Sequence, residues 1–268
     1  DGTLLASSTG FFIGPNGEAV SSYAPFKGAQ RAVIIDAEGK EYSVELILGA
    51  NETYDVAKFQ AAVRKTTPLP LASTATNGSS IWLLPYAVKK TPTCIQGTIK
   101  DAEKFQETYQ YYTLQLNAEE SHNTCPILNQ NGEVIGIIQP SAGDQKGTSY
   151  AIDARFAANM KINGLSINDP AVKQTNIPIA LPDKADEALI ALFLASSTMN
   201  ENQYINMVER FIQKFPNEVD GYIFRARYQT TKGNFSSADE DMQKAIKVAA
   251  QKDNAHYQYA ELIYQKDL

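Results

Sequence analysis

The sequence predicts a multidomain β + α chain, an all-β region followed by a helical one. Three observations carry this. Between residues 3 and 168, short runs of Val, Ile, Tyr, Phe and Thr are broken at regular intervals by turn signals. After residue 182 the strand signals vanish and apolar residues recur at helical spacing. The helical part also repeats itself every 34 residues. These features divide the chain into residues 1–175, a linker at 176–182, and residues 183–268.

In the β region the turn signals are Pro15-Asn16-Gly17, Glu38-Gly39-Lys40, Thr76-Asn77-Gly78 and Asn131-Gly132. Alternation is visible in Arg31–Asp36 and in Tyr42–Leu48, as half-buried strands require. Many short strands at this spacing suggest a barrel or sandwich. Thr66-Thr67-Pro68-Leu69-Pro70-Leu71 reads as a crossing between two β units. Tyr109-Gln110-Tyr111-Tyr112 suggests a stacking platform or, more simply, a tyrosine-covered barrel face.

Pro178 and Pro182 resist both helix and central strand and mark the boundary. Beyond it, Ala188, Ile190, Leu192 and Ala195, then Tyr204, Val208, Phe211, Ile212 and Phe215, fall at helical spacing. Asp186, Asp220 and Asn254 recur 34 residues apart, each suited to capping a helix start. Asn200 and Asn234 share that spacing, as do Ala226 and Ala260. The pattern resembles tetratricopeptide (TPR) repeats, best over Tyr222–Ala245, with Gly233-Asn234 as the inter-helix turn. Arg225 and Gln229 depart from the motif, and Met199 stands where a turn glycine belongs. The expectation is a TPR-like solenoid of two repeats and a trailing helix, Asn254–Gln265, with His256 packed at the motif's aromatic position.

The chain carries 24 Lys+Arg and 30 Asp+Glu, a formal charge of −6. Both halves are acidic, which argues against nucleic-acid binding. The apolar run Leu189–Ala195 is far too short to cross a bilayer. No signal peptide is visible, and Asp1 opens onto a strand-like run, which predicts that a natural start lies upstream. Cys94 and Cys125 allow one disulfide or none, and the simpler reading is a reduced, buried pair. His122-x-x-Cys125 offers two metal ligands where a structural zinc site wants four. No glycine-rich phosphate loop appears, so no metal or cofactor is expected.

The segment Ser121-His122-Asn123-Thr124-Cys125-Pro126-Ile127, with the Asn131-Gly132 turn and Glu133–Ile137, resembles the nucleophile segment of trypsin-like serine proteases of the HtrA type. Ser8–Gly17 resembles the opening hairpin of that family. Ile47–Ala57 resembles its aspartate-bearing strand and turn. Trp82–Pro85, Gln96–Ile99 and Gly147–Asp153 resemble strands of its second barrel. The resemblance covers about residues 8–160 and implies a trypsin-like double β-barrel. It aligns Ala24 with the general-base histidine, Asp55 with the orienting aspartate, Asn123 with the nucleophilic serine, and Ser121 with an oxyanion-hole glycine.

Of that triad only Asp55 keeps its chemistry, and an aspartate without its histidine has nothing to orient. The expectation is therefore a non-catalytic pseudoprotease, not an enzyme, that binds or scaffolds proteins or peptides. Its partners would meet the helical concave face or the retired cleft. The alternative is a peptidase with an unusual nucleophile, Cys125 with His122 as base. Thr124 has no evident base. The resemblance also implies a periplasmic, cell-envelope or secreted location.

Overall fold

The structure, a computed structural model, describes residues 2–88, 91–140, 146–249 and 253–266. It divides into two compact units. One comprises residues 1–161 and 169–180, the other residues 162–168 and 181–268.

The first unit holds eleven strands among its described residues. Five form an antiparallel sheet in the order β1-β2-β5-β4-β3. These are β1 (Gly10–Phe12), β2 (Glu18–Ser21), β3 (Val33–Ile35), β4 (Glu41–Asn51) and β5 (Val56–Ala61). Six close a barrel in the order β10-β11-β8-β7-β6-β9. These are β6 (Ser80–Leu83), β7 (Ile95–Phe105), β8 (Tyr109–Gln115), β9 (Pro126–Leu128), β10 (Val134–Ile138) and β11 (Thr148–Asp153). The expected double barrel is thus one closed barrel and one open sheet. β3 pairs with β4 through only three residues and does not reach β1. Nor do residues 2–9 form the strand expected near Asp1.

Period-two patterning builds both cores. On β8, Tyr112 and Leu114 are buried while Tyr111, Thr113 and Gln115 turn outward. They fill the closed barrel with Ile81, Leu83, Ile99, Ile127 and Ile135. Truncating one such residue, as in Leu114→Ala, costs about 2–5 kcal/mol. A second cluster joins sheet to barrel through Val20, Val56, Val134, Ile137, Ile152 and Phe156. The crossing at Thr66–Leu71 touches both: Leu69 donates its N–H to Phe12, and Val134 donates to Pro70.

Two short helices follow β11, α1 (Ala154–Ala158) and α2 (Pro170–Lys173). The stretch expected as a linker is packed where it belongs to this unit. Ile47 of β4 donates to Pro178 and accepts from Ala180, and Ile177 and Ile179 are buried.

The second unit contains α3 (Ala185–Thr198), α4 (Glu201–Lys214), α5 (Val219–Thr231), α6 (Phe235–Val248) and α7 (Asp253–Lys266). α3, α5 and α7 begin at 185, 219 and 253, a step of 34 each time; α4 and α6 keep the same step. Asp186 and Asp220 do not cap these helices but sit inside the first turn, where a carboxylate complements the helix dipole. Asn200 does cap α4, in a reciprocal box with Gln203. Gly233, at φ +74°, turns α5 into α6. Gly221 allows α5 to approach α4, since a Cβ there would lie 2.8 Å from the Phe211 ring and Ile212. Arg225, out of place by the repeat motif, forms a 2.7 Å ion pair with buried Asp241. His256 is exposed, not packed. Among the described residues no helix is long and apolar enough to cross a membrane.

Candidate functional site

Two of the expected site positions meet at the end of β2. Pro25 opens a single 3₁₀ turn, Ala24–Phe26, which presents the Ala24 N–H. Asp55, at φ +46°, turns its carboxylate onto this corner. Its Oδ1 accepts the Ala24 N–H at 2.8 Å and its Oδ2 accepts the Ser22 hydroxyl at 2.5 Å. The next residue, Tyr23, is fully buried and donates its hydroxyl to Ala171 at 2.7 Å. Burial, then the carboxylates of Glu52 and Asp169, push its hydroxyl pKa up.

The second group lies on the loop between β8 and β9. Glu120–His122 form a 3₁₀ turn capped reciprocally by Glu119 and His122. The His122 Nδ1 accepts the Glu119 N–H at 3.0 Å. Ser121 lies exposed within this turn. Asn123 donates its backbone N–H to Glu120 at 3.1 Å, so a donor that an oxyanion hole would aim outward is spent internally. Thr124 follows, buried and at φ +68°, a strained place for a β-branched residue.

Thr9, in the segment that resembles the family's opening hairpin, ties this loop to β2, where the Ser21 hydroxyl donates to its carbonyl at 2.7 Å. The Thr9 hydroxyl donates to the Asn123 carbonyl at 3.1 Å, and the Cys125 thiol lies 3.7 Å from the same hydroxyl. Cys125 is 1% exposed, and burial raises its thiol pKa, disfavouring the thiolate. His122 and Cys125 are joined through the backbone, the Cys125 N–H donating to the His122 carbonyl at 3.0 Å, while the His122 Nδ1 is taken up by the Glu119 N–H. Both cysteines are free, and Cys94 is exposed, contrary to the expectation of a buried pair.

Beside Asn123 a cavity of about 350 Å³ opens, lined by Glu119, Glu120, Asn123, Gln139, Pro140 and Ser149 among others. Ser149 is satisfied: its hydroxyl donates to Leu116 at 2.7 Å and accepts from the Ala118 N–H at 3.0 Å. Gln139 is buried, and its backbone N–H bonds Tyr150 at 2.9 Å. From Tyr150 a row of half-buried rings runs through Tyr111, 6.4 Å away and stacked, to Tyr54, a further 6.2 Å on. Gln139 and Ser149 carry no motif signal; only the fold brings them to Asn123. Among the described residues no group of three or more His, Cys, Asp or Glu is placed to hold a metal ion.

Residues 8–137 match the family model described as trypsin-like peptidase domain. This span is a little under half of the chain. The expectation that the chain is not an enzyme is corrected by this match, which points to a protease. Ala24 and Asn123 exclude a serine–histidine pair at those two positions. They do not exclude hydrolysis, because peptidase chemistry recurs with different nucleophiles and bases. No curated protein sequence matches the chain. Among solved structures, the active form of the Rv3671c protease from M. tuberculosis is similar at 20% identity and TM-score 0.49, covering 65% of this chain and 75% of that one. The inactive form of that protease is similar at 20% identity and TM-score 0.46, covering 57% and 81%. The HtrA-type protease AlgW with a decapeptide is similar at 16% identity and TM-score 0.48, covering 61% and 52%.

Proposed function

We propose that the trypsin-like unit binds an extended polypeptide and seats one basic or amide side chain in the cavity beside Asn123. The cavity carries this reading. Its volume suits one long side chain, and its lining is polar, with two carboxylates and two amides. Glu119 and Glu120 are exposed and attract positive charge to the mouth. The Tyr150–Tyr111–Tyr54 row offers flat surfaces for neighbouring apolar or proline residues of the same segment. The match to a peptidase domain supports a polypeptide as the ligand class. A periplasmic, cell-envelope or secreted location goes with this reading.

The test is fluorescence anisotropy on the full chain with labelled hexapeptides differing at one central position. Lys, Arg or Gln there should bind more tightly than Asp or Glu. The double substitution Glu119→Gln with Glu120→Gln should weaken Lys and Arg peptides at least fivefold and leave Gln peptides unchanged. Equal binding of acidic and basic peptides would sink the proposal. Mass spectrometry of the same mixtures reads any hydrolysis.

The helical unit is proposed as a TPR-like stack. The 34-residue step of its helices and its Ala226–Ala238–Met242–Ala245 core support this reading. Such a stack offers a protein a second surface.

A further inference from the structure

The chain contains four Asn-Gly pairs, Asn16-Gly17, Asn77-Gly78, Asn131-Gly132 and Asn163-Gly164, and all four asparagines are exposed. Such a pair is chemically labile, because glycine has no Cβ to keep its nitrogen away from the preceding side-chain amide. The backbone around each pair decides whether that nitrogen can attack. In three of them it is held. Gly17 donates its N–H to the Thr66 hydroxyl at 3.2 Å, Gly78 to the Ile99 carbonyl at 2.8 Å and Gly132 to the Asn129 carbonyl at 3.0 Å. Asn77 also commits its amide Nδ2 to Asp101 at 3.2 Å. Among the described residues the Gly164 N–H has no hydrogen-bond partner.

The Asn163 side chain is aligned for attack as well. Its Oδ1 accepts the Leu165 N–H at 2.8 Å, which curls the amide over the intervening peptide and brings its Cγ toward the Gly164 nitrogen. The same bond polarises the side-chain carbonyl and stabilises negative charge on Oδ1 as the nitrogen adds. The turn is fixed from both ends: Asn163 donates its N–H to the Ser166 hydroxyl at 2.8 Å, and Ser166 donates its N–H to the Asn163 carbonyl at 3.2 Å.

We propose that Asn163 is a modification site selected by the fold, where the side chain cyclises onto Gly164 and opens to isoaspartate or aspartate. The Gly164 nitrogen gives its proton to a base and forms a bond to Asn163 Cγ. The Cγ–Nδ2 bond breaks, and Nδ2 takes up a proton and leaves as ammonia, so that a succinimide ring closes. Water then adds to one of the two ring carbonyls and breaks its bond to the nitrogen. Opening at Cγ gives aspartate, and opening at the backbone carbonyl gives isoaspartate. The net change is an amide and a water to a carboxylate and an ammonium, with nothing oxidised or reduced.

The two products differ in what they do to the helical unit. Aspartate keeps an acceptor for the Leu165 N–H, so the turn survives. Isoaspartate routes the main chain through the side-chain carbon and inserts a methylene beside Gly164. There is no room for it: even a Cβ on Gly164 would lie 2.9 Å from the Glu187 carbonyl and 3.1 Å from the Ile190 Cβ, both on α3. Isoaspartate therefore prises this turn from α3. The proposal is independent of the cleft and of the repeat reading.

The test incubates the full chain at mildly alkaline pH and follows each Asn-Gly peptide by mass spectrometry, with chromatography to separate isoaspartate from aspartate. A held N–H must first give up its hydrogen bond, so Asn163 should convert about tenfold faster than the other three. In denaturant the four rates should converge. Faster conversion at Asn16, Asn77 or Asn131, or none at Asn163, would overturn the proposal. A lead for Asn163 that persists undiminished in denaturant would also overturn it, because neighbouring sequence and not the fold would then choose the site. Asn163→Asp should melt with the parent chain, and the purified isoaspartyl chain should melt lower. An isoaspartyl chain as stable as the parent would refute the tight contact with α3.

Discussion

The Asp55 carboxylate accepts the backbone N–H of Ala24 at 2.8 Å while its other oxygen holds the Ser22 hydroxyl. The aspartate is thus a brace for the corner after β2, and it stands in the left-handed region to reach that corner. Asp55→Ala should destabilise the chain by about 2–4 kcal/mol. It leaves the buried Ser22 hydroxyl unpaired and puts an alanine at positive φ. Asp55→Asn keeps an acceptor and tolerates that backbone, so about 1 kcal/mol is expected. Urea unfolding of both variants measures this, and equal losses would refute the brace.

The β7–β8 hairpin turns through Gln106 and Glu107, both exposed and at φ +48° and +60°. Side chains resist this geometry, and Asn-Gly suits it. Gln106→Asn with Glu107→Gly should stabilise the chain by about 1–2 kcal/mol. A melting temperature that stays the same or falls would show that the turn is not strained.

The two thiols should react at different rates. Exposed Cys94 should label within seconds at pH 8, and buried Cys125 only on unfolding. Because burial raises the Cys125 pKa, the folded chain keeps its proton longer than the unfolded one. Stability is then full below the ordinary thiol range and falls as pH rises through about 8.5 and above. Cys125→Ala should flatten that alkaline slope. Two fast thiols in the native chain would contradict the burial.

Arg225 and Asp241 should behave as a coupled pair. Arg225→Leu leaves the buried Asp241 carboxylate with only the Lys244 ammonium, 4.0 Å away and half exposed, and should cost about 3 kcal/mol. Adding Asp241→Leu should recover most of it. Additive losses in a double-mutant cycle would rule out the coupling.

The sequence was most legible where local chemistry decides the backbone. The Asn131-Gly132 turn, the alternation of β8 and the 34-residue helix step each follow from residues near one another in the chain. It was least legible where distant residues meet. Arg225 looked like a flaw in the repeat because its partner lies 16 positions on, and no periodicity marks an ion pair. Gln139 and Ser149 reach Asn123 only through closure of the barrel, and Thr9 reaches it from 114 residues away. The reading of lost catalysis failed differently. Ala24, Ser121 and Asn123 were taken together as deciding whether the chain is an enzyme, when they decide only one route to hydrolysis.

Ile47 bonds to both Pro178 and Ala180. The first unit's sheet is therefore completed by chain that lies beyond its last helix. A fragment ended at residue 175 would strip that cover from β4 and bare unpaired backbone flanked by apolar side chains, a template for aggregation. A fragment carried through Ala180 keeps its own edge sealed, so the useful cutting point lies five residues later than composition suggests.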